Sequence, residues 1–184
     1  MNYIGNAGSY LSQTLFGFAL YIVLLRFWMQ WVRADFRNPF GQFIITISNP
    51  IIIPLRKILP SIGSIDTATV VFAFVIALIK VYLLFVINQV SVALLPFLAF
   101  TLGEVIQHSI YILFATIFIQ IIVSWVNPYS DHPIVSIARS IAGPIMAPAR
   151  KLIPPIGGLD LSPIIVIIFL QLSLQLIVAP LKGL

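Results

Sequence analysis

At 184 residues, with 60% hydrophobic and only 8% charged residues, the chain is not an ordinary soluble protein, in which about a quarter of residues are charged. The absence of cysteine removes disulfides, thiolate metal sites, iron–sulfur clusters and thiol catalysis. The net charge of +5 rests on ten basic residues, dispersed and without a base-stacking module, so no nucleic-acid partner is expected.

A spanning helix needs about 20 mainly apolar residues. The first such run covers residues 10–32. No basic residue precedes Arg26, so the positive start of a cleavable signal is missing and the run reads as a span. A polar corner, Arg33 to Pro39, opens a Pro-rich amphipathic segment over residues 39–62, and a second span follows over residues 67–88 with Lys80 inside it. Residues 89–104 read as an outer connector broken by Pro96. The third span covers residues 105–126, a second Pro-rich segment residues 133–156, and the fourth span residues 162–178.

The chain repeats itself. A shift of 94 residues, without a gap, carries Trp31 onto Trp125, Pro39 onto Pro133, Pro50 onto Pro144 and Pro54 onto Pro148. It also carries Arg56-Lys57 onto Arg150-Lys151, Pro60 onto Pro154, Gly63 onto Gly157 and Asp66 onto Asp160. About a third of positions from Trp31 to Asp66 are identical under this shift. The expected fold is therefore an all-α membrane protein: four transmembrane helices arranged as two helix–Pro-rich amphipathic segment–helix repeats. Residues 1–100 form repeat one and residues 105–184 repeat two. Two spans per unit make the repeats parallel, related by an axis along the membrane normal.

Lys and Arg in short loops set orientation. Arg33, Arg37, Arg56, Lys57, Arg139, Arg150 and Lys151 fall in the two Pro-rich connections, against Lys182 alone on the other side. The connections are expected in the cytoplasm, with both termini outside. Trp28, Trp31 and Trp125 then sit near the cytoplasmic ends of their helices, where amphipathic rings prefer the interface.

Within the Pro-rich segments, Phe40, Phe43, Ile44, Ile47 and Ile51 fall at helical spacing, as do Ile134, Ile137, Ala138, Ile141 and Ile145. Each set predicts a short amphipathic helix on the membrane surface, in preference to a re-entrant hairpin. Pro50 and Pro144 are expected to break or kink it, and Pro60 with Gly63 to end it. Ser162 before Pro163 reads as a helix cap. Asp66 and Asp160 either cap the following spans or pair with Arg56 and Arg150.

Charges inside the spans cost roughly 2.5–3.5 kcal/mol each. Arg26 lies near enough to a helix end to snorkel to headgroups. Lys80, about 21 Å beyond Asp66 along a helix, reaches outer headgroups, Glu104 or a polar cavity. The repeat places Gln120 opposite Arg26 and Leu174 opposite Lys80, with Gln171 nearby. These polar groups, with Gln107, His108 and Gln175, read either as interhelical hydrogen-bond partners or as the lining of a conduit. Two histidines and five acidic residues form no metal or nucleophile motif. No enzyme, metal or cofactor is expected.

Leu25-Arg26-x-Trp28-x-Gln30-Trp31, then Asp35-Phe36-x-Asn38-Pro39-Phe40-x-Gln42-Phe43, Asn49-Pro50, Pro54-Leu55-Arg56, Pro60, Gly63 and Asp66 together resemble the YggT (YlmG-type) family. The second copy, with Pro133, Pro144, Pro148, Arg150, Pro154, Gly157-Gly158 and Asp160, is similar to it too, and departs from the first at Asn127, Pro128 and Asp131. Lys80 sits where proteobacterial members carry an intramembrane lysine. The resemblance implies a bacterial inner-membrane protein related to plastid proteins. It implies links to osmotic stress tolerance and potassium homeostasis, or to cell division, cytochrome assembly and nucleoid distribution. It supplies no catalytic residues.

Two functions follow as expectations. One is a non-enzymatic accessory or scaffold protein whose cytoplasmic helices, with Arg56, Lys57, Arg150 and Lys151, dock anionic headgroups or a partner. It would act as a homo-oligomer or as a subunit of a larger membrane complex. The other is an oligomeric channel or transport component for ions or small osmolytes, lined by Arg26, Lys80, Gln120 and Gln171.

Overall fold

The computed structural model describes residues 3–153 and 160–183, so Pro154 and Gly157 lie outside the described residues. Among the described residues the chain is all-helical, without strands. Its helices are α1 (Tyr3–Trp31), α2 (Pro39–Ile58), α3 (Thr67–Ile87), α4 (Leu94–Val126), α5 (Pro133–Leu152) and α6 (Ser162–Leu181). The four helices α1, α3, α4 and α6 are long and apolar enough to cross a membrane. The shorter α2 and α5, 20 residues each, join α1 to α3 and α4 to α6.

The starts of α2 and α5 follow from their sequence. Asn38 caps α2: its side-chain oxygen accepts from the Gly41 N–H at 2.8 Å, and Pro39 takes the first helical position, where its missing N–H costs nothing. In the second copy His132 Nδ1 accepts from the Ile134 N–H at 3.3 Å, ahead of Pro133. Of the break or kink expected at Pro50 and Pro144, the break does not occur. Both helices run through their two inner prolines. Pro50 and Pro54 are four residues apart and exposed, and so are Pro144 and Pro148. The carbonyls that lose their N–H partners thus fall on one outward side, where they can be solvated.

α2 ends at Ile58, and a turn follows in which Ile62 and Ile65 exchange two backbone hydrogen bonds of 3.0 Å. Gly63 occupies its left-handed position at φ +60°, which costs glycine nothing. The Pro60 carbonyl accepts from the Thr67 hydroxyl at 2.7 Å, tying the turn to the start of α3.

Pro96 does not break an outer connector either. It lies in the first turn of α4, which starts at Leu94 rather than Val105. A first-turn N–H has no intrahelical partner, so proline is tolerated there. At 33 residues α4 is about 50 Å long, well beyond the ~30 Å hydrocarbon thickness.

Two apolar cores hold the bundle. One joins Leu20, Val23 and Leu24 of α1 to Ala73, Ile76 and Ala77 of α3. The alanines, one turn apart, let the two backbones approach. The other joins Met29 of α1 and Ile117 of α4 to Ile137, Ile141 and Met146 of α5 and Leu170 of α6. The apolar face of α5 is thus largely spent on the bundle. That of α2 is divided: Ile44 and Ile52 are buried, while Phe43, Ile47 and Ile51 remain exposed.

Gly41 and Gly143 provide a paired test of this packing. A Cβ on Gly41 would lie 2.8 Å from the Phe36 Cα, whereas one on Gly143 would meet nothing within 4 Å. Gly41→Ala should cost roughly 1–3 kcal/mol by overpacking. Gly143→Ala should be neutral or gain up to about 1 kcal/mol of helix propensity. Thermal unfolding of the purified variants in detergent reads the difference.

Candidate functional site

At the end of the bundle where α2 and α5 lie, each is clasped to the span that follows. Arg56 donates from Nε to both Asp66 oxygens at 3.2 Å and from NH2 to Asp66 Oδ2 at 2.5 Å. NH2 also reaches Gln30 Oε1 of α1 at 2.8 Å, and the Thr69 hydroxyl donates to Asp66 Oδ2 at 2.5 Å. One guanidinium therefore joins three helices. The second clasp is simpler: Arg150 Nε donates to Asp160 Oδ2 at 2.9 Å, and Asp160 Oδ1 accepts from the Ser162 N–H at 2.9 Å. Of the two readings left open for these aspartates, pairing holds in both repeats. Asp160 also takes the capping role expected of Ser162, whose own hydroxyl is buried without a partner among the described residues.

The clasps differ in exposure. The Asp66 side chain is 0% exposed and that of Asp160 33%. Burial pushes the Asp66 carboxyl up, but hydrogen bonds from Arg56 and Thr69 outweigh it and hold the group below the usual carboxylate range. Asp160 is also held low, against burial, by its bonds to Ser162 and then Arg150.

Arg26 does not snorkel. It is buried, and its NH1 donates to Ser48 Oγ at 2.5 Å and Asn49 Oδ1 at 2.8 Å. Ser48 and Asn49 interrupt the apolar run of α2 at the places facing this guanidinium. With Gln30 holding Arg56, these contacts seat α2 across the last two turns of α1.

A second cluster lies along α3 from Asp66, toward the other end. Lys80, Glu104 and His108 are all buried. Lys80 Nζ donates to Glu104 Oε2, so of the destinations considered for Lys80 the structure selects Glu104. His108 Nδ1 lies 2.8 Å from the Glu104 carbonyl. A carbonyl only accepts, so Nδ1 carries the proton and Nε2 turns its lone pair toward Lys80 Nζ, 3.4 Å away. The Tyr21 ring of α1 packs on His108 with centroids 4.7 Å apart.

Lys182 completes this cluster, a role that neither periodicity nor the repeat pointed to. Its Nζ donates to Glu104 Oε1 and Gln107 Oε1 at 2.6 Å each and lies 4.9 Å from the Phe100 ring centroid. Two local features allow this. Residues Leu174–Val178 form a π-helical stretch, with the Ala179 N–H bonded to the Leu174 carbonyl. One such turn shifts the following residues by one position, about 100° around the axis. Gly103 leaves room for the lysine stem: a Cβ there would lie 2.8 Å from Lys182 Cγ. Two ammonium groups thus share one carboxylate.

The proposed intramembrane polar set is not brought together. Arg26 sits in the α1–α2 contact and Lys80 on Glu104, while Gln171 is exposed on α6, as is Gln175. Gln120 lines a separate cavity of about 430 Å³ between α4, α5 and α6. Of the residues proposed for a lipid or partner surface, Lys57 and Lys151 are exposed, while Arg56 and Arg150 are engaged in the clasps. Trp31 and Trp125 are 47% and 73% exposed.

This architecture defines a multi-pass helical membrane protein in which each half is a span, an amphipathic helix and a second span. The family model described as CCB3/YggT matches the chain twice, over residues 6–87 and 99–181. The chain is 42% identical over 170 residues to an "Uncharacterized protein in proC 3'region" of Vibrio alginolyticus, covering 91% of each chain. It is 38% identical over 177 residues to an uncharacterized protein of Pseudomonas aeruginosa, covering 95% of this chain and 90% of the relative. It is 35% identical over 166 residues to "Uncharacterized protein YggT" of Escherichia coli, covering 90% of this chain and 86% of the relative. No solved structure matches. The chain belongs to the CCB3/YggT family.

The two clasps should differ in worth. Arg56→Ala strands a fully buried carboxylate and should cost roughly 3 kcal/mol. Arg150→Ala unpairs a part-exposed one and should cost no more than about 1 kcal/mol. Because Asp66 is held below its unfolded value of about 3.9, its contribution is complete above that pH and disappears as pH falls through the folded value. Melting temperatures of both variants at neutral and acidic pH measure this, and the Arg56→Ala deficit should shrink in acid.

Proposed function

We propose that the protein is a non-enzymatic accessory or scaffold of the bacterial inner membrane. α2 and α5 lie at its cytoplasmic face, the chain termini lie outside, and the paired helices dock anionic headgroups or a partner protein. The observation that carries this reading is the divided apolar face of α2. Its inner stripe is used by the bundle, while Phe43, Ile47 and Ile51 stay exposed and Lys57 is exposed in the last turn. An exposed apolar stripe on a helix that carries an exposed cation suits a helix half-sunk in a headgroup layer. The clasps hold this surface at a fixed angle to the spans. In an oligomer or a larger complex the protein would present it to partners, and its part in osmotic stress tolerance and ion homeostasis is the one the family resemblance implies.

The test leaves the clasps intact. Lys57→Glu combined with Lys151→Glu should lower co-purifying phosphatidylglycerol several-fold and abolish complementation of a deletion strain at high osmolarity, with melting temperature unchanged. Unchanged lipid content and full complementation would remove the proposal.

A second reading draws on the Lys80–Glu104–Lys182 cluster, whose excess positive charge suits anions better than cations. In this reading the protein is an oligomeric transport component for small ions or osmolytes. Flux into proteoliposomes of pure protein under an osmotic or voltage gradient decides it, and no flux would eliminate it.

A further inference from the structure

The two repeats use the same Arg–Asp clasp, but only repeat one fills the space around it. There Gln30 reaches Arg56, Thr69 reaches Asp66, and Arg26 packs alongside. The 94-residue shift replaces these with Ser124, Pro163 and Gln120. Ser124 is too short to reach Arg150 and instead donates its hydroxyl to the Ile121 carbonyl at 2.7 Å. Pro163 has no hydroxyl. Ala142 and Gly143 stand where Ser48 and Asn49 hold Arg26. The result is the cavity of about 430 Å³ that has Gln120, Ser124, Arg150 and Asp160 in its lining.

The polar groups here are underused. Arg150 spends only Nε on Asp160, so its two terminal amino groups are without partners among the described residues. Each Asp160 oxygen accepts one bond and has a further lone pair. Gln120 Oε1 has no donor among the described residues. The remaining wall is apolar and opens along the exposed Trp125 and Ile164.

We infer that this cavity is a phospholipid headgroup site selective for a zwitterion with a phosphate and a primary ammonium, the phosphoethanolamine type. The phosphate takes the free N–H groups of Arg150. The ammonium takes Asp160, with the Gln120 amide and the Ser124 oxygen as neutral partners. The acyl chains leave past Trp125 and Ile164. Selectivity follows from charge. One guanidinium and one carboxylate match a headgroup of zero net charge. A headgroup with a phosphate and no ammonium leaves Asp160 facing an anion. A choline headgroup has no N–H to donate. The site is a part-open slot on repeat two alone, and goes beyond the exposed lysines on which the proposed function rests.

The experiment titrates the purified full-length chain with phosphatidylethanolamine, phosphatidylglycerol or phosphatidylcholine of identical acyl chains, read by native mass spectrometry. Phosphatidylethanolamine should bind at least tenfold more tightly than either of the others. Ser124→Gln, which restores the repeat-one residue beside Arg150, should weaken it at least tenfold. Ile164→Phe, which fills the slot from its apolar wall, should do the same should Ser124→Gln lower the melting temperature. Lys57→Glu with Lys151→Glu should leave this binding unchanged, which separates the site from the helix surface. Equal binding of the three lipids, preference for phosphatidylglycerol, or full binding by a folded, slot-filled variant would each overturn the assignment.

Discussion

The fold depends on a single ion pair at one end of the bundle. Asp66 sits without exposure at the start of α3, where an unpaired carboxylate would be expensive. Arg56 makes that position tenable, and because it arrives from α2 it fixes where the amphipathic helix ends. Its second bond, to Gln30, ties it to the last turn of α1. The end of α2, the last turn of α1 and the start of α3 all meet at one buried acid and its partner.

The repeat turns this into a comparison within one molecule. Two halves with the same backbone plan and the same Arg–Asp pair have different neighbours, so the effect of the neighbours can be read directly. With Gln30, Thr69 and Arg26 present, the acid of the pair is fully buried. With Ser124, Pro163 and Gln120 in their places, it stands at the edge of a cavity. The conserved plan sets the position of the helices, while a few side chains around the clasp decide whether it is closed or open to a ligand.

Much of this was legible in sequence because it is periodic or local. Apolar runs marked the four spans, the 94-residue shift marked the repeat, and Arg56 with Asp66 recurred as Arg150 with Asp160. Proline was harder to read. Pro50 and Pro144 looked like breaks because local rules do not show that their neighbours four residues on share the same outward face. Pro96 looked like a loop breaker because its place in a first turn depends on where α4 begins. The partners of Arg26 were also hidden: Ser48 and Asn49 are 22 and 23 residues away, and only the crossing of α2 over α1 joins them. Lys182 was the least legible, since its reach depends on a π-helical stretch that contains no proline or glycine to mark it and on a glycine 79 positions earlier.

The Lys80 cluster also sets an order for biogenesis. Chain synthesis delivers Lys80 first, Glu104 only with α4, and Lys182 after α6. When α3 enters the bilayer, its lysine has no carboxylate to meet and carries an insertion cost of roughly 2.5–3.5 kcal/mol. Until α4 is made, the first three helices carry an unpaired intramembrane charge. Arrival of α4 relieves that charge, and Lys182, just after α6, reaches the same carboxylate from the other side. The Lys80–Glu104 pair is neutral once α4 is in place, and the lysine that arrives last gives the cluster one net positive charge.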